Sequence, residues 1–134
     1  MKKLFFFSVI FLLMTNLSRA QCVIYACDNT GSWGAGYNND NAPTSEKECT
    51  DVAVKLCKEK GGTACTFLYK SNKAGWWGFI NVKKANAANF FQGGDGYQSK
   101  TEAETSVRSK YRSSGGMDAD NIKVYTWYVY SNPK

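Results

Sequence analysis

Residues 45–62 recur 54 positions further on, without a gap. Ser45, Glu48, Cys49, Ala53, Cys57, Gly61 and Gly62 fall on Ser99, Glu102, Ala103, Val107, Tyr111, Gly115 and Gly116. A Gly-x-Trp-Gly tetrad stands ahead of each copy, as Gly31-Ser32-Trp33-Gly34 and Gly75-Trp76-Trp77-Gly78. An internal repeat restricts a chain to folds that use one supersecondary unit twice. It fixes architecture and says nothing of a reaction.

Each copy contains a helix signal. Ser45 with Glu48 three residues on forms a capping box. Cys49, Val52, Ala53, Leu56 and Cys57 then make one apolar stripe, and Gly61-Gly62 stops it. Ser99 and Glu102 repeat the box; Ala103, Val107 and Tyr111 make a thinner stripe that ends at Gly115-Gly116.

Strands occupy the rest. Val23–Cys27 and Ser32–Tyr37 flank the turn signal Asp28-Asn29-Thr30-Gly31 and read as a hairpin. Thr66–Lys70 and Trp76–Val82, around Ser71 to Gly75, read as a second hairpin. Ile122–Tyr130 is apolar or aromatic on both faces apart from Lys123 and Thr126, which predicts a central strand. Asn81 to Gln98 reads as an inserted loop with a short strand at Asn89–Gln92. The order ββα, ββα, β predicts a single α+β domain, with an antiparallel-rich sheet of five or six strands and two helices packed on it. The first helix is expected to cross over between the second and third strands. The repeats span about 23–70 and 66–130, inside a domain of residues 21–134.

Residues 1–20 read as a leader. Lys2 and Lys3 precede an apolar run from Leu4 to Met14, and Ser18 and Ala20 supply small residues before Gln21. The run is too short for a span, which needs about twenty apolar residues. The expected location is secreted or periplasmic, with no membrane span once the leader is removed. Without Lys2, Lys3 and Arg19, 14 basic residues face 11 acidic ones. That balance, without a clustered basic stripe, argues against a nucleic-acid partner. The 114 residues that remain suffice for one core.

Cys22, Cys27, Cys49, Cys57 and Cys65 all lie beyond the leader. In an oxidising compartment they read as disulfides with one thiol left over. No Cys-x-x-Cys and no histidine supports a zinc site. If the first strand runs down, the second up, and the helix down again, Cys57 ends near Cys65 and Cys49 starts near Cys22. This predicts Cys57–Cys65 and Cys22–Cys49, with Cys27 as the spare thiol or a competitor.

The tetrad hairpin, Ser45, Cys49, Ala53, Cys57, Gly61-Gly62 and Cys65 together resemble the exported family known as domain of unknown function 4189. Gly75-Trp76-Trp77-Gly78, Gly96-Tyr97, Ser99, Ala103, Gly115-Gly116 and the closing strand resemble it too, so the likeness runs from Ile24 to Tyr130. The chain departs from the pattern at Tyr111, where the second copy has no cysteine pair. The resemblance implies no reaction. Some similar exported domains look like antitoxins or secretion-linked factors, so the resemblance implies a protein partner, and an inhibitor or immunity role is one form that the binding function would take.

The absence of histidine excludes Ser-His-Asp and Cys-His catalysis. Gly93-Gly94-Asp95-Gly96 lacks the Lys and Ser/Thr of a phosphate loop. Asp28, Asp40, Asp95, Asp118 and Asp120 read as turn residues; a small hydrolase would need two of them facing across a cleft. Asp118-Ala119-Asp120-Asn121 and Asn38-Asn39-Asp40-Asn41 do not continue into a calcium loop. No cofactor and no metal is expected.

The aromatic residues carry the functional reading. Adjacent Trp76 and Trp77 point to opposite faces of a strand, and the repeat pairs Trp77 with Trp33 as core. Trp76, Phe90, Phe91 and Tyr97 are therefore the candidate binding patch, with a small second core under the loop as the alternative. The favoured function is a non-enzymatic binding module with a protein partner. A glycan-binding module of the cell envelope is the next reading, and a carboxylate-dependent hydrolase the third.

Overall fold

A computed structural model of the chain describes residues 22–39, 45–83, 89–117 and 120–130. Residues 1–20, which read as a leader, and Asp40 and Asp118 lie outside them. The elements run β1 (Cys22–Cys27), β2 (Ser32–Tyr37), α1 (Glu46–Glu59), β3 (Thr66–Ser71), β4 (Gly75–Lys83), β5 (Phe90–Tyr97), α2 (Lys100–Ser113) and β6 (Asn121–Val129).

Local chemistry sets the helix ends. Ser45 Oγ accepts from the Glu48 amide at 3.2 Å, and the Glu48 carboxylate accepts from the Ser45 amide at 3.0 Å. In α2, Ser99 Oγ accepts from the Glu102 amide at 3.1 Å, but the Glu102 carboxylate reaches one residue further back, to the Gln98 amide at 2.8 Å. Both helices close alike at the far end. Gly61 and Gly115 take left-handed φ values of 93° and 91°. The next amides, of Gly62 and Gly116, donate to Cys57 and Tyr111, each at 3.0 Å.

The fold is α+β, and its strands form two antiparallel three-stranded sheets, ordered β2-β1-β3 and β5-β4-β6. In each sheet the helix lies between the second and third strands in sequence. The β1–β2 hairpin forms as expected, and α1 carries the chain from β2 to β3 on the other side of β1. The second expected hairpin does not form, because β3 pairs with β1 and β4 pairs with β5 and β6. The link from Asn72 to Ala74 carries the chain from one sheet to the other instead of turning it back. Gly75 takes φ 118° there, and Trp77 Nε1 donates to the Lys73 carbonyl at 3.2 Å.

Two further expectations are corrected. The stretch read as an inserted loop holds an eight-residue strand, β5, paired with β4 along its length apart from one bulge. Its three glycines disguise it: a Cβ on Gly94 would come 2.4 Å from the Tyr97 hydroxyl and 2.8 Å from Lys110 Nζ. β6 is an edge strand, not a central one. It is apolar on both faces because each face is covered over part of its length. Ile122 and Val124 pack with the α2 core, while Tyr125 and Trp127 face the first sheet.

The layers follow from strand alternation. Trp77 and Phe79 of β4, with Val129 of β6, meet Cys22, Ile24 and Ala35 of the first sheet. Ile80 and Val82, on the other face of β4, pack on Val107 and Tyr111 of α2. α1 lies against the outer side of the first sheet with Cys49, Ala53 and Cys57 buried. The order through the molecule is thus helix, sheet, sheet, helix. Trp33 and Trp77 both belong to the central layer, as the repeat suggested.

Cys57 and Cys65 form a disulfide, as expected. Cys22 and Cys49 do not, and both stay thiols. The reason is side-chain parity: Cys22 points into the layer between the sheets, whereas Cys49 sits on the helix that covers the opposite face. The Cys49 sulfur instead lies 3.9 Å from Asn38 Oδ1. Burial pushes both thiols up, Cys49 to about 11.

Candidate functional site

Register places Tyr97 of β5, Trp76 of β4 and Tyr128 of β6 side by side across the second sheet. Paired residues on neighbouring strands share a face, so the three residues form one row across the sheet, with a bulge between Trp76 and Gly78. Trp76 and Tyr128 meet edge to face at 5.8 Å, and Tyr128 meets Tyr130 in the same way at 5.0 Å. Lys110 of α2 holds its ammonium 5.8 Å from the Tyr97 ring. The row lies on the α2 side of the sheet but beyond the helix. The helix stripe covers Gly78, Ile80 and Val82, and Trp76 comes two residues before Gly78. Tyr128 is accordingly 41% exposed, and Trp76 and Tyr97 are half-buried.

Of the predicted patch, the structure brings Trp76 and Tyr97 together. It places Phe91 elsewhere: that ring stacks on Phe79 at 5.8 Å in the layer between the sheets. The Phe90 side chain lies outside the described residues. Tyr128 and Tyr130 were missed. Their only sequence signal was their alternation along a strand apolar on both faces, and their proximity to Trp76 depends on the β4–β6 pairing.

A second aromatic feature lies between α1, β2 and β6. It is a cleft of about 420 Å³ lined by Trp33, Tyr37, Leu56, Lys60, Tyr125 and Trp127, among others. Trp127 stacks with Tyr37 at 5.7 Å and with Trp33 at 6.1 Å. Lys60 holds its ammonium 4.2 Å over Trp33, and burial lowers its pKa. The buried Trp127 Nε1 has no hydrogen-bond partner among the described residues.

Two of the candidate carboxylates, Asp95 and Asp120, have partners within the fold. Asp95 accepts from the Tyr69 hydroxyl at 2.8 Å and pairs with Lys73 at 3.6 Å. Asp120 accepts from the Tyr111 hydroxyl and from the Met117 amide. The two sit at opposite ends of the second sheet, beside the Gly78–Gly94 and Lys83–Asn121 pairs, so they cannot face each other across one cleft. Burial first, and the carboxylate partner second, push Tyr69 and Tyr111 up to about 12. Among the described residues no cluster of His, Cys, Asp and Glu could hold a metal, and no helix is long and apolar enough to cross a membrane. The chain matches no family model, no curated protein and no solved structure.

Proposed function

We propose that this chain is an exported, non-enzymatic binding module that engages a protein partner in the periplasm or outside the cell. The row Tyr97–Trp76–Tyr128 carries this reading. Its rings share one face of the second sheet, and Trp76 and Tyr128, which meet edge to face, lie beyond the helix stripe, with Tyr128 exposed. Large rigid rings of this kind dominate protein interfaces, each worth about 2 kcal/mol or more when it anchors contact.

The test compares the folded, oxidised protein with its Trp76→Ala and Tyr128→Ala variants in capture from envelope extracts. One polypeptide retained by the parent, and bound at least about 30-fold more weakly by the variants, supports the reading. Equal capture by all three overturns it. The cleft between α1 and β6 favours a second reading, glycan binding, because its stacked Trp33, Tyr37 and Trp127 rings resemble a platform for a sugar face. Under that reading wall sugars quench tryptophan fluorescence in the parent and fail to do so in Trp33→Ala.

A further inference from the structure

Three of the five cysteines meet at one corner of the first sheet. The β1–β3 ladder pairs Tyr25 with Phe67 and Ala26 with Thr66. One more step of the same register sets Cys27 opposite Cys65. Both share the face that carries Tyr25 and Phe67, whose rings meet edge-on at 6.0 Å. The Cys27 sulfur lies 3.9 Å from Thr63 Oγ1 and accepts the Ala64 amide, immediately before Cys65. Cys57 reaches the same corner from α1: its sulfur lies 3.7 Å from the carbonyl oxygen of Ser32, the β2 partner of Cys27. Opposed residues of an antiparallel ladder have Cα atoms about 4.5–5.5 Å apart. A disulfide needs about 4.4–6.8 Å. Cys65 is bonded to Cys57 on the helix at a Cα separation of 6.3 Å, and the continued register would bring Cys27 on the strand within the same range of its backbone.

We propose that Cys27, Cys57 and Cys65 form a thiol–disulfide exchange site, in which the Cys27 thiolate attacks the Cys65 sulfur of the existing bridge. The Cys27–Cys65 bond forms as Cys57–Cys65 breaks, and Cys57 leaves as a thiolate that takes a proton from solvent. One disulfide is replaced by another, so the step needs neither oxidant nor reductant. The surroundings of Cys27 suit an attacking group. The Thr30 hydroxyl, followed by the Ala64, Thr30 and Thr63 amides, brings its thiol down to about 6, and these donors would hold the thiolate although the side chain is itself buried. Cys22 and Cys49 stand outside this site, on the far face of β1 and at the opposite end of α1. Exchange moves the covalent tie from the α1–β3 junction to the β1–β3 ladder and releases the end of α1.

The test is disulfide mapping of oxidised protein. Cys57→Ser should keep a disulfide, linking Cys27 to Cys65, and the Cys27→Ser, Cys57→Ser double variant should lose it. A Cys57→Ser protein with Cys27 and Cys65 both free, or with Cys65 capped by a small external thiol, overturns the proposal. Wild type gives a measurement that does not depend on a variant's folding. After incubation at neutral pH, acid quenching and denaturation, maleimide should label Cys57 in the molecules whose peptic map shows a Cys27–Cys65 link. Label on Cys27, Cys22 and Cys49 alone, with every bridge between Cys57 and Cys65, also overturns it.

Discussion

At Gly36 a single missing Cβ lets a helix lie directly on a strand. A Cβ there would stand 1.8 Å from the Cys49 carbonyl oxygen, and one on Gly34 would stand 2.1 Å from that of Ala53. Backbone cannot yield as a flexible side chain can. Gly36→Ala is therefore expected to destabilise the protein by about 3 kcal/mol or more, read from the urea midpoint. Gly115→Ala makes a contrast, because nothing lies within 4 Å of its Cβ and only the φ of 91° resists. Its cost should stay near 1–2 kcal/mol. The sequence displayed the Gly-x-Trp-Gly tetrads plainly, but not their purpose. In both, the last glycine meets a helix carbonyl, that of Ala53 above Gly34 and of Ala103 above Gly78, although the two tetrads sit in strands of different rank within their sheets. Tyr69 and Tyr111 give a pH prediction at the same scale. Their folded values, about 12, lie above the ordinary value near 10. The stability that they contribute is present in full below pH 10 and is lost as pH rises from 10 through 12. Denaturant midpoints should fall across that window, less steeply in Tyr111→Phe, and a spectrophotometric titration should show late-ionising tyrosines.

The two helices end on equivalent junctions held by different chemistry. Cys57 at the end of α1 bonds covalently to Cys65, just before β3. Tyr111, which the repeat sets in the place of Cys57, donates its hydroxyl to Asp120, just before β6. Removing the bridge by Cys57→Ala with Cys65→Ala should cost about 2–3 kcal/mol, given the short loop that it closes. Tyr111→Phe, which keeps the ring and removes the hydrogen bond, should cost about 1–3 kcal/mol. Equilibrium unfolding measures both. The missing cysteine pair was legible in the sequence; the tyrosine–aspartate contact that stands in its place was not, because Asp120 looked like one more turn residue. Helix ends were legible because caps and glycine stops act within a few residues. β5 was not, because Gly93, Gly94 and Gly96 mimic a loop and strand pairing depends on partners far along the chain. Its register also decides the fate of Phe91. Phe91→Ala is expected to lose about 3 kcal/mol of stability, as a core ring would, whereas Tyr128→Ala on the exposed row should stay within about 0.5 kcal/mol.

On the scale of the whole molecule, the hydrogen-bonded sheets divide the described residues into consecutive halves, and among those residues no strand crosses between them. What joins the halves is the aromatic layer of Trp33, Trp77, Phe79, Tyr125 and Trp127, with a few polar ties such as Asn81 Nδ2 to the Gly31 carbonyl at 3.0 Å. The repeat, by pairing Trp33 with Trp77, foretold aromatic rings in the core. That it lies between two sheets was not visible, because alternation along a strand reveals two faces but not what each face meets.

The short link from Asn72 to Ala74 has a consequence for how the chain can be taken apart. Each half keeps its own hydrogen-bonded strands and its own helix, but neither can cover its aromatic face alone. Two polypeptides divided at this link should each aggregate or remain unfolded when made singly. Mixed, they should complement one another into a native-like particle with restored near-ultraviolet circular dichroism. Failure of the mixture to assemble would show that the link does more than carry the chain from one sheet to the next.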